Sequence, residues 1–190
     1  MIQVFERRLT APSSTNKYYI KTTKGGYNKC IQIKDDGSVL PNCVGYAWGR
    51  FMECQYHVTT CNLSRGNAES WYGNIIDGYS RGRTPKLGAV ICWYSTKSGG
   101  HVAIVEKVYD NNDILTSNSA YNGSRFYTKT LRASNNYYMG SAYTFQGFIY
   151  NPTQFVDPDT PIPVNPIVTK REKFPWVLYS RKIRKRSKSK

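Results

Sequence analysis

From Gly88 onward the chain repeats one pattern, apolar runs of strand length separated by short polar turns. GAVICWY (88–94), HVAIVEKV (101–108), Ile114 to Ser119, Arg125 to Leu131 and Tyr143 to Tyr150 are rich in β-branched and aromatic residues, and Asn111-Asn112, Asn122-Gly123 and Asn135-Asn136 supply turns. Parallel strands need long crossovers, so loops this short argue for antiparallel neighbours. A meandering antiparallel sheet in the second half obliges the first half to cover it. The expected class is α+β, with helices packed first and the sheet after.

The covering helix is read from PNCVGYAWGR, Pro41 to Arg50. Asparagine accepts hydrogen bonds from free backbone amides, so Asn42 favours a helix start and places Cys43 in the first turn. Partial positive charge collects there and favours thiolate over thiol, lowering a cysteine pKa from about 8.5. Val44, Trp48, Phe51 and Met52 fall at helical spacing and form an apolar stripe. Gly45 and Gly49 let a neighbour approach closely, at a cost of roughly 1 kcal/mol each in helix stability. A second, shorter helix is expected over Asn67 to Asn74, capped by Asn67 with Glu69 in its first turn. Before Pro41, short β-prone pieces, a Pro12-Ser13-Ser14 break, a Gly25-Gly26 turn and an Asp35-Asp36-Gly37 turn form an irregular lead-in.

One domain of 1–150 accounts for these elements. Residues 152–166 hold five of the nine prolines, which marks 151–169 as a stiff linker. Residues 170–190 form a basic amphipathic tail with ten of the 27 basic residues and one of the twelve acids, a net +9 that leaves +6 for the 169 residues before it. Such charge suits a polyanion: an anionic wall polymer, an anionic membrane surface or nucleic acid. MIQVFERRLT has charge where a signal peptide needs its apolar core, and no run approaches the roughly 20 apolar residues of a membrane span. A soluble chain, exported by another route if at all, is expected.

Five cysteines (30, 43, 54, 61 and 92) cannot all pair within one chain, and no CxxC pair signals zinc. Cys54, His57 and Cys61 stand at i, i+3 and i+7, a spacing that would share a helical face and make a partial metal site without a visible fourth ligand. A nucleophilic cysteine needs a base, and the base needs a group that fixes its tautomer and orientation. The chain has two histidines. His57 would lie far along the helix from Cys43, whereas His101 opens a strand after Gly99-Gly100, where a side chain at a sheet edge faces a cleft. If strands 101–108 and 113–120 join through a four-residue loop, Tyr109 to Asn112, then Val108 pairs with Asp113 and Asn118 with Ala103. Asn118 and His101 then lie on one face as diagonal neighbours, roughly 7 to 8 Å apart between backbones. An odd loop would turn Asn118 away. Asn42, Tyr46, Trp48, Trp71 and Trp93 are candidates for substrate contacts and cleft walls, although aromatics at such spacing also suit a core.

Together, NKYYI with GGYNKC, LPNCVGYAWGR, LGAVICWY followed by GGHVAIVEKV, and ILTSNSAY resemble the CHAP domain, the cysteine, histidine-dependent amidohydrolase/peptidase module of bacterial and bacteriophage cell-wall lysins. The resemblance runs roughly from Arg8 to Asn151. It implies a papain-like fold in which Cys43 attacks an amide of peptidoglycan and His101 assists. Many members place an acid two residues before an asparagine on the following strand; here those positions are Thr116 and Asn118, so orientation of His101 falls to Asn118 alone. Many also carry glutamine where this chain has Asn42. Some bind calcium through an acidic loop, but Asp35-Asp36-Gly37 lacks alternating oxygen ligands, and no cofactor is expected. The implied protein is a phage-encoded peptidoglycan amidase or endopeptidase, acting from the host cytoplasm on the wall or from the virion tail beside phage tail proteins. The competing reading is an inert CHAP-like virion protein whose basic tail binds nucleic acid or an anionic envelope.

Overall fold

The computed structural model describes residues 2–19, 32–33 and 39–160. Its elements are β1 (Ile2–Val4), β2 (Gln32–Ile33), β3 (Val39–Leu40), α1 (Cys43–Glu53), β4 (Arg81–Gly82), β5 (Val90–Tyr94), β6 (His101–Val108), β7 (Ile114–Ser119), β8 (Phe126–Leu131), β9 (Thr144–Ile149) and β10 (Gln154–Val156). Six strands form one antiparallel sheet in the order β4-β9-β5-β6-β7-β8, and α1 covers one of its faces. The architecture is α+β as expected, and the five long strands lie where the apolar runs placed them.

Period-two alternation decides what packs where. Val90, Cys92, Val102 and Ile104 point to the α1 side and meet Val44, Ala47, Trp48, Phe51 and Met52. Ile91, Trp93, Ala103 and Val105 point to the other side, where they cluster with Leu131 of β8, Phe145 and Phe148 of β9, and Tyr137 from the segment between those strands. That second cluster accompanies a departure from the expected meander. After β8 the chain crosses this apolar face, seats Tyr137 on it, and returns β9 to the free edge of β5 instead of continuing past β8. Gly49 serves the close approach expected of it, since a Cβ there would lie 2.9 Å from the Tyr18 carbonyl oxygen and from the Tyr19 ring.

Two expected features change. The helix over Asn67 to Asn74 is instead a pair of 3₁₀ turns, Ala68–Ser70 and Ile75–Asp77, and the Asn67 side chain makes no cap bond. The Arg81 guanidinium binds the carbonyls of Trp71 (3.2 Å), Tyr72 (2.8 Å) and Asn74 (2.7 Å) at the end of this segment, carbonyls that a helix stopping at Asn74 would leave open. The linker expected from residue 151 begins later. β10 pairs in parallel with β1, Phe155 meets Phe5 edge-on at 5.0 Å, and Arg7 binds Asp157 and Asp159, so residues through Asp159 are tied to the start of the chain. Residues 161–169 and the basic tail lie outside the described residues. Among those described, no helix is long and apolar enough to cross a membrane.

The β6–β7 hairpin contains a bulge that no local sequence pattern shows. Val108 pairs with Ile114 and Lys107 with Leu115, so the loop is Tyr109 to Asp113, one residue longer than expected and odd. Beyond Glu106 the pairing shifts by one, to Val105 with Thr116 and Ile104 with Ser117. A bulge sets two residues against one. Here it cancels the odd loop and restores, at the far end of the hairpin, the register in which Asn118 faces Ala103.

The bulged residue is fully buried. Glu106 Oε1 accepts from Arg50 Nε (2.9 Å) and Ser117 Oγ (2.6 Å), and Oε2 accepts from Arg50 Nη2 and the Arg8 backbone amide, each at 2.9 Å. Arg50 also binds Glu53 at 2.8 Å. Removing one partner of a buried pair strands the other charge. Glu106→Ala is expected to lower unfolding free energy by about 3–5 kcal/mol in urea titrations; a loss below about 1 kcal/mol would contradict this arrangement.

Candidate active site

The nucleophile position is built by the start of α1. Asn42 Oδ1 accepts from the Gly45 amide at 2.9 Å, the cap read from the sequence, and Cys43 is the first helical residue. No acidic residue stands in the first turn to offset the exposed amides. Ser119 Oγ donates to the Pro41 carbonyl, so the last residue of β7 fastens the helix start to the rim of the sheet. Cys43 is half-buried and lines a cleft of about 360 Å³ together with Asn42, Ala68, Gly99, His101 and Tyr143.

The opposite wall comes from the start of β6. Gly99 and Gly100 both have positive φ, at 73° and 80°, which an L side chain adopts only under strain. A Cβ at Gly100 would also lie 2.5 Å from the Glu69 nitrogen and 2.6 Å from the Trp93 carbonyl oxygen. Glycine therefore lets the Ala68–Ser70 turn rest on the strand entry, where the Glu69 amide donates to the Gly99 carbonyl at 3.0 Å. His101 follows at once, 7% exposed.

His101 Nε2 stands 3.1 Å from Oδ1 of Asn118, itself fully buried. The indole of Trp93 underlies the imidazole, ring centroids 5.7 Å apart, and Tyr143 meets its edge at 6.3 Å. This apolar surround lowers the His101 pKa to about 4, chiefly by desolvating the cation, with Lys129 adding a smaller repulsion and the Asn118 hydrogen bond opposing both. At neutral pH the ring is uncharged and able to take a proton.

The candidate site residues divide. Cys43 and His101 share the cleft, Asn118 touches His101, and Asn42 lines the wall. The four expected aromatic walls are corrected. Tyr46 is buried beneath α1 and donates to Ser117 Oγ at 2.8 Å; Trp48 belongs to the helix–sheet core; Trp71 is buried with its indole nitrogen on the Gly66 carbonyl; Trp93 lies under His101 and donates to the Tyr137 carbonyl. Large rings at helix and strand spacing gain most by leaving water, and these faces point inward. The aromatics that do line the cleft are Tyr121, 83% exposed, and Tyr143. An aromatic beside the Asn122-Gly123 turn was the available signal for Tyr121.

The Cys54, His57 and Cys61 grouping does not form. Helix α1 ends at Glu53, so His57 leaves its axis, Cys54 and Cys61 are buried apart from it, and no cluster able to hold a metal occurs among the described residues. Asp35 to Gly37 lie outside the described residues.

Because His101 is neutral when folded and binds a proton more readily when unfolded, its contribution to stability is fully present above pH 6.5 and is lost as pH falls toward 4. The loss amounts to about 3 kcal/mol for a shift of this size. Unfolding free energies measured from pH 7 to 4 should fall less steeply in His101→Gln by about that amount; parallel curves would contradict the burial of a neutral ring.

Comparison with known proteins bears on this site. Residues 33–120 match the family described as the CHAP domain. Among solved structures, the chain is similar to an N-acetylmuramoyl-L-alanine amidase from Staphylococcus aureus, at 24% identity and a TM-score of 0.43 over 56% of this chain and 30% of that one. It is also similar to Ly7917, solved with the hydrolysing product of MDP, at 16% identity and a TM-score of 0.41 over 73% of this chain and 61% of that one. The chain thus spans less than two thirds of either structure. No curated protein matches it. Cys43, His101 and Asn118 all fall within the segment that matches the CHAP domain family.

Proposed function

We propose that this chain is a peptidoglycan hydrolase of the kind used by bacteriophage lysins, cleaving an amide bond of the wall with Cys43 as nucleophile. The observation that carries the reading is the shared cleft. It joins a cysteine at a helix N-terminus to a neutral, asparagine-held histidine inside the segment that matches the CHAP domain family.

In this mechanism His101 takes the Cys43 proton as the sulfur attacks the amide carbonyl. The exposed amides of the first turn stabilise the charge on sulfur. The tetrahedral oxyanion is held by the Cys43 backbone N–H. Asn42 can add a second donor, because its Oδ1 is committed to the Gly45 amide and its Nδ2 remains for the cleft that it lines. Protonated His101 then gives its proton to the leaving amine, which departs as the carbon–nitrogen bond breaks and a thioester forms. Water, deprotonated by the same ring, hydrolyses that thioester. Tyr121 and Tyr143, which line the cleft, would contact the substrate. The tail of 170–190 would hold the enzyme on anionic wall polymer.

Wild type should clear purified peptidoglycan and free new amino groups, with no rise in reducing sugar. Cys43→Ser, folded by circular dichroism, should lower the rate by at least about 10³-fold, as expected when a covalent nucleophile is lost. Wild-type clearing by that variant would contradict the mechanism.

A further inference from the structure

The hydrogen bonds behind Asn118 form a directed chain. Lys129 contributes a backbone carbonyl, which can only accept. Thr116 Oγ1 donates its single hydrogen to that oxygen at 2.9 Å, so toward Asn118 it presents only lone pairs. Asn118 Nδ2 donates to Thr116 Oγ1 at 2.9 Å, and at 3.5 Å it also faces the Tyr127 carbonyl, a second acceptor. Turning the amide over would set Oδ1 against two acceptors in a site without exposure. Oδ1 is therefore held toward His101, 3.1 Å from Nε2. An amide oxygen only accepts, so Nε2 carries the hydrogen.

We infer that Thr116 is a positioning residue that acts through Asn118 to fix the His101 tautomer, keeping Nε2 protonated and leaving Nδ1 as the basic nitrogen. The inference rests on the proposed function only for what that nitrogen is used for. The register favours this arrangement. Thr116 pairs with Lys129 and stands two residues from Asn118 on the same strand face, so three residues on two adjacent strands form the chain without a loop intervening. Rigid strands hold the angles. A threonine hydroxyl, unlike a carboxylate, supplies direction without adding charge beside a ring that is neutral at rest.

The test begins with wild-type protein labelled with ¹⁵N in histidine. At pH 7, the His101 ring should show a protonated Nε2 and a bare Nδ1; a protonated Nδ1 would overturn the inference without any variant. Thr116→Val keeps shape and strand preference but removes the hydroxyl. It should mix the two tautomers and lower kcat on wall fragments about 10- to 100-fold, the order seen when a histidine loses its outer partner, with KM little changed. Thr116→Ser should restore both. A folded Thr116→Val with a wild-type tautomer and kcat would overturn the assignment. If wild type cleaves no wall while the tautomer still responds to Thr116→Val, the proposed function fails and the assignment of Thr116 stands.

Discussion

The buried carboxylate of Glu106 is the interaction on which the rest of this domain depends. It joins α1 through Arg50, β7 through Ser117 and the chain's first segment through the Arg8 amide, with each oxygen accepting two hydrogen bonds. A carboxylate with fewer donors would be expensive to hold without water. Its position is also the position of the bulge in β6. One residue therefore sets both the register of the hairpin and the anchorage of the helix against it. The first brings Asn118 to His101, and the second fixes the rim at which α1 delivers Cys43.

The site is a meeting of three backbone constraints. A capped helix start presents Cys43, a glycine pair at positive φ lets one turn rest on the entry to β6, and the first residue of that strand is His101. The sheet then supplies the apolar floor. Trp93, opposite His101 in the ladder, removes water from beneath the imidazole and keeps it neutral, the state in which its free nitrogen can accept a proton. The aromatic residues thus act on the chemistry from below, and the open side of the cleft is left to Tyr121 and Tyr143.

The strands were legible because period-two alternation and asparagine turns are local signals, and the α1 cap because Asn42 acts on an amide three residues away. The contact between His101 and Asn118 was legible for a less secure reason. The expected four-residue loop has five residues, and the bulge at Glu106 compensates; Glu106 is held there by an ion pair spanning 56 residues, which no local pattern shows. A long-range contact also accounts for β10, which needs β1 as partner. The inward burial of the expected aromatic walls is not legible locally, because size and spacing say that a ring is packed without saying on which side of the sheet. In the sequence Thr116 marks only the place of a missing acid, and its role depends on a carbonyl of the neighbouring strand.

These relations reduce to one chemical claim, that a single thiol at the start of α1 carries out the cleavage. Cys54, Cys61 and Cys92 are buried, and burial pushes each thiol up to about 12 or beyond, so they resist alkylation at neutral pH. The most direct measurement is titration of the folded protein with iodoacetamide at pH 7, with mass mapping of the modified cysteine and parallel assay of wall cleavage. Activity should fall in proportion to carboxamidomethylation of Cys43 while Cys54, Cys61 and Cys92 stay unmodified. Cleavage that persists after Cys43 is fully modified would contradict the account.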